Sequence, residues 1–182
     1  MIWNRWKGSF IFQVELAISM RTASFSEFFP GRFVSKLEVA KDIRSIFQVV
    51  TQAVHEQMGM TRSGLELGLV ELEDSQGRFI GCLHPMGTNQ ILVNKLPLQR
   101  VRQTSPQICR SYLFVVLLHE YLHTFGIWDE KETIEGGLAM IRQVFGDDHP
   151  ATKLAEDIEH QILFVTYPKP MPLPPGKEIE QL

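Results

Sequence analysis

His119, Glu120 and His123 stand in the order His-Glu-Tyr-Leu-His, a spacing that carries chemistry if the segment is helical. Four residues advance an α-helix by about 400°, which leaves the two imidazoles roughly 40° apart in azimuth and ~6 Å apart along the axis. Two neutral ring nitrogens on one face reach one metal ion, and a carboxylate beside them is placed to take a proton from an activated water. A third ligand is then needed. Gly126 suits the left-handed turn that ends a helix and reverses the chain. That turn brings Asp129 back towards the imidazoles, either as a carboxylate ligand or as the N-cap of the next helix, two roles that do not strictly exclude each other. Glu130, Glu132 and Glu135 are the rival third ligands, and water takes the fourth position.

The elements that must hold these residues follow from periodicity. Ser105-Pro106 is a helix start, with Ser as N-cap and Pro in the first turn. The helix runs through the apolar stretch Leu113–Leu118 to about Phe125, so the motif lies on a core helix. Histidines and a glutamate on such a helix need partners. A second helix opens at Asp129 with a capping-box pattern and carries Ile134, Leu138, Ile141 and Phe145 on its apolar side. Gly136-Gly137 inside it costs about 1 kcal/mol per glycine relative to Ala, which predicts close packing or a break there. A last helix starts at Asp148-His149-Pro150 and buries Leu154, Ile158 and Ile162.

Upstream, Leu37, Ala40, Ile43, Phe47, Val50 and Val54 form one stripe and predict a single long helix over 35–58, stopped by Gly59. Alternation predicts strands over 65–73 and 78–83, joined as a hairpin by Asp74-Ser75-Gln76-Gly77, and a third over 89–94. Phe12–Ile18 reads as a half-buried strand, since Gln13 and Glu15 interrupt a signal-like apolar run. Phe25, Phe28 and Phe29 mark a loop on the core, and the Pro-rich 168–182 an extended tail. Helices and strands mix without strict alternation, so the fold class is α+β. One domain over 1–167 is expected, with its core about 34–145 and an extension over 1–33.

Composition narrows the classes. The 182 residues are 44% hydrophobic and 21% charged with a net charge of -3, which excludes a collagen-like or disordered chain and gives no basic footprint for nucleic acid. No run approaches the ~20 apolar residues of a membrane span. Cys82 and Cys109 are too few for a thiolate zinc site or a disulfide framework and read as small core residues. A cytoplasmic soluble protein is the default. His84 and His149 beside prolines, and Arg100, Arg102 and Arg110, read as surface features.

His119-Glu120-x-x-His123-x-x-Gly126-x-x-Asp129 resembles the HExxHxxGxxD signature of the minimal zincin-like metallopeptidases. The order helix, strands, active-site helix and further helix over about 34–145 is similar to a zincin core. The resemblance implies a compact zincin-like fold with a small mixed or antiparallel sheet and packing helices around an active-site helix. It implies one Zn²⁺ held by His119, His123 and Asp129, with Glu120 as general base in the hydrolysis of a peptide or protein substrate, while the charge and the short apolar runs predict no nucleic-acid or membrane partner. Gluzincins draw their ligand from a later helix, which keeps Glu132 and Glu135 as alternatives. Zincins lay substrate antiparallel to an edge strand, a role that falls here to Asn89, Gln90, Ile91, Leu92, Val93 and Asn94, or else those residues form an ordinary core strand. The rival function is a catalytically silent zinc-binding interaction or regulatory protein. The oligomeric state is left open.

Overall fold

Local capping decides where the first helices break. In a computed structural model of the chain, which describes residues 30–72, 80–162 and 176–182, α1 spans Pro30–Val39 and α2 spans Ile43–Met58. The single helix expected over 35–58 is therefore two. The Asp42 carboxylate accepts the Ser45 N–H at 2.7 Å, and the Ser45 hydroxyl oxygen accepts the Asp42 N–H at 3.0 Å. This reciprocal cap stabilises a helix start inside an apolar stripe whose spacing runs on unbroken. Gly59 ends α2 at φ 69°.

Strand β1 is Glu66–Val70, β2 is Cys82–Leu83, β3 is Gln90–Asn94 and β4 is Glu180–Gln181, in the sheet order β2-β3-β1-β4. The expected pairing of the first two strands as a hairpin does not occur. β1 runs parallel to β3, with Leu67 opposite Ile91 and Leu69 opposite Val93, and β2 pairs antiparallel with β3 instead. The actual hairpin turns through His84–Thr88, while Asp74–Gly77 lies outside the described residues. Ile91, Leu92 and Val93 are fully buried, as a strand flanked on both sides and covered on both faces must be. β4 is antiparallel to β1. A Cβ built on Gly68 would stand 2.8 Å from Ile179 Cγ2 and 3.3 Å from the Glu180 carbonyl, so only glycine lets this segment lie against β1. Lys95 pairs with Glu180 at 2.8 Å and the Leu182 N–H donates to the Leu67 carbonyl.

A short helix, α3 (Lys95–Val101), fills the segment between β3 and α4 (Pro106–His123). α4 has Ser105 as N-cap, accepting from the Ile108 N–H at 3.2 Å. Every residue from Ser111 to Leu118 is buried, which marks the helix as central. Helices α2, α5 (Glu130–Phe145) and α6 (Pro150–Ile162) and the sheet pack around it. The core reaches past 34–145: Phe33, Ala151 and Ala155 are buried in it and Leu182 packs on it. The strand expected at Phe12–Ile18, the loop of Phe25, Phe28 and Phe29, residues 168–175 and the side chains of Ile158 and Ile162 lie outside what is described. Among the described residues no helix is long and apolar enough to cross a membrane.

Candidate metal centre

The last turn of α4 delivers both imidazoles to one point. His119 Nε2 and His123 Nε2 are 3.0 Å apart. The Glu130 carboxylate joins them, with Oε2 at 3.0 Å from His119 Nε2 and Oε1 at 3.4 Å from His123 Nε2. Donor atoms on a tetrahedral zinc at 2.0–2.1 Å stand about 3.3 Å from one another, and each of these separations, the two carboxylate ones made by different oxygens of Glu130, is close to that spacing. His123 Nδ1 lies 2.6 Å from the Ile127 carbonyl. A carbonyl only accepts, so Nδ1 donates to it, and with that proton fixed there Nε2 is the nitrogen left to hold a metal, the orientation an outer hydrogen bond gives a ligating histidine.

The charge balance fits a cation. Glu130 Oε2 is buried with no aligned hydrogen bond, and His119 Nε2 stands 3.0 Å from it. Buried carboxylate oxygens are seldom left so. Burial pushes the Glu130 carboxyl up, but the two histidines together outweigh it and hold it at about 2. Burial pushes His123 down, and the Glu130 contact, the Glu120 charge and the Ile127 carbonyl more than reverse this. The donor set of two imidazoles and a carboxylate suits zinc.

Glu120 completes the group, its ligand atom within 4.8 Å of those of His119 and His123. Its side chain is buried, and Oε2 accepts the His84 N–H at 2.7 Å. The Glu120 charge also adds to burial in raising the Cys82 thiol far above its ordinary range. Trp128 stacks with both His84 and His123, at 6.0 and 5.7 Å between centroids.

Several expected positions shift. Gly126, at φ 85°, does reverse the chain, but the residue that meets the imidazoles is Glu130. Asp129 is the N-cap of α5, and its Oδ1 accepts the Glu132 N–H at 2.8 Å. A capping carboxylate turns along the helix axis towards the first-turn N–H groups, whereas the next side chain projects sideways to α4. Glu135 faces Lys131 at 3.7 Å. The assignment of Asn89–Asn94 as a substrate edge is corrected, since β3 lies between β2 and β1 and both of its edges are used. Asn89 accepts from Arg62, the Gln90 carbonyl accepts from His84 Nδ1, and Asn94 is committed to Leu72, Ile80 and Leu96. His84, read from the sequence as a surface residue, is buried at the site. No spacing connects it to the His-Glu motif 36 residues away, so only the β2–β3 hairpin reveals it. Comparisons with protein-family models, with curated proteins and with solved structures find no match.

Proposed function

We propose that the chain is a zinc-dependent metallopeptidase in which His119, His123 and Glu130 hold the ion and Glu120 is the general base. Glu130 takes the place that the sequence resemblance gave to Asp129. The observation that carries the reading is the convergence of two Nε2 atoms and one half-buried carboxylate within 3.0–3.4 Å, with a second carboxylate beside them. Zinc bound there would polarise a scissile carbonyl and acidify a water. Glu120 is held by the His84 N–H at Oε2, which leaves Oε1 to take the proton from the attacking water and pass it to the leaving amine. Among the described residues β2 has a strand partner on one side only, and an extended peptide could add to its free side by main-chain pairing, next to the His84 that holds Glu120.

The test is metal analysis of the purified chain with a peptide-library cleavage assay. One zinc per chain and cleavage that falls about 10²–10⁴-fold in Glu120→Gln, zinc retained, is expected. Full activity in that variant ends the mechanism. Stoichiometric zinc with no cleavage would favour the silent zinc-binding alternative.

A further inference from the structure

The loop between α4 and α5 carries Trp128, one of three large apolar side chains left exposed among the described residues, at 40%. An indole this open adds little to the core, and the part of it that is covered meets two imidazoles. The ring lies nearly parallel to His123, at 5.7 Å between centroids and 11° between planes, and nearly parallel to His84, at 6.0 Å and 8°. Both separations fall in the range of offset-stacked rings.

The two imidazoles come from different elements. His123 ends α4 and offers Nε2 to the centre, whereas His84 follows β2 and its N–H holds Glu120. Trp128 joins them from a third segment, whose other residues are committed to the same point. The Ile127 carbonyl lies 2.6 Å from His123 Nδ1, and Glu130 approaches both Nε2 atoms. The hydrogen bond at Nδ1 fixes one corner of the His123 ring and leaves its tilt free. A flat surface against the ring face removes that freedom, as the outer partners of a ligating histidine do.

Stacking also distinguishes a loaded site from an empty one. A metal on Nε2 draws electron density out of the imidazole and leaves it more positive. The indole face is negative and attracts positive charge within about 6 Å of its centroid, a reach that includes the His123 ring. A side chain that only covered the site would stabilise both states equally.

We propose that Trp128 is a positioning residue of the metal site, its indole braced against His84 and holding the His123 ring so that Nε2 addresses the ion. The inference rests on the metal reading of His119, His123 and Glu130, and not on peptide cleavage.

The experiment uses the full chain with zinc alone as the probe, buffered by a competing chelator. Trp128→Leu keeps apolar bulk and removes the ring, so the zinc dissociation constant should rise about 10–100-fold. In Trp128→Phe it should stay within about fivefold of wild type, because a smaller ring still stacks. The zinc-free thermal midpoints of the two variants should agree. His84→Ala should weaken zinc binding in the wild-type chain and add nothing in Trp128→Leu, since its effect passes through the indole. Wild-type affinity in Trp128→Leu overturns the proposal, as do equal losses in the leucine and phenylalanine variants or a His84→Ala loss of one size in both backgrounds. A chain in which Trp3→Phe and Trp6→Phe leave Trp128 as the single tryptophan keeps the test open should the leucine variant fail to fold. Its emission should shift on adding zinc and level off at one equivalent, and bound zinc without a shift overturns the positioning role alone. No zinc binding by the wild-type chain overturns the metal reading and the positioning role with it.

Discussion

Two buried polar clusters sit at opposite ends of the β2–β3 pair, and they are built on opposite terms. At one end Asn94 uses its whole side-chain capacity. Oδ1 accepts the N–H groups of Leu72 and Leu96, and Nδ2 donates to the carbonyls of Leu72 and Ile80. At the other end His84 pins Glu120, and Glu130 keeps a buried oxygen with no aligned hydrogen bond. The first cluster is closed and stabilises the junction of β3, α3 and the chain after β1. The second gathers its acidic and basic groups against one another around a single point, where a cation could take the place of those contacts.

The largest expected effect breaks the closed cluster. Asn94→Ala leaves the N–H and C=O of Leu72 and the C=O of Ile80 without their partner in the interior. Each unsatisfied group costs about 1–3 kcal/mol, so a loss of about 3 kcal/mol in unfolding free energy is expected, equal with and without zinc. Denaturant unfolding in both conditions measures it. A zinc-dependent loss would mean that the two ends are coupled.

The same contrast explains what could be read from the sequence. Helix α4, its Ser105-Pro106 start, the Gly59 stop and the His119–Glu120–His123 group depend on spacings of three to five residues, which a sequence displays directly. The α1/α2 break was hidden because Asp42 and Ser45 interrupt a helix whose apolar stripe continues. The pairing of β1 with β3 was hidden for another reason. Turn residues at Asp74–Gly77 favour a local hairpin, while the parallel partner lies more than twenty residues on and is chosen by burial of Ile91–Val93. His84 and Asn94 are invisible in the same way, because their partners are 36 and 22 residues distant. Glu130 was legible only as one of several carboxylates. Choosing it over Asp129 required knowing which residue the cap consumes.

The second effect fills the open cluster. At free zinc 100 times its dissociation constant, binding to the native state alone adds about 2.7 kcal/mol. For a chain of this size that raises the thermal midpoint by roughly 5–11 °C. Glu130→Gln should abolish the rise, and Asn94→Asp should not. A full zinc response in Glu130→Gln would remove Glu130 from the ligand set.

A smaller effect comes from the turn that joins the two imidazoles to Glu130. Gly126 adopts φ 85°, and a Cβ there meets nothing closer than Trp128 Nε1 at 3.9 Å. Gly126→Ala therefore suffers backbone strain and no clash, at about 1–2 kcal/mol. Because the strain falls on the segment that presents Glu130, weaker zinc binding should accompany the lower midpoint. Equilibrium dialysis beside thermal unfolding checks both.

The smallest effect decides between neighbours. If Asp129 serves α5 as its N-cap, Asp129→Ala should cost about 1 kcal/mol and Asp129→Asn much less, since an amide oxygen accepts the Glu132 N–H nearly as well. If Asp129 were a zinc ligand, the order of consequences would differ. Asparagine would keep the cap and still weaken the metal site, because it removes the charge. The pair of substitutions thus separates a role in stability from a role in binding at one position. Unchanged zinc affinity in Asp129→Asn beside its loss in Glu130→Gln is the expected result, and the reverse pattern would return the third ligand to Asp129.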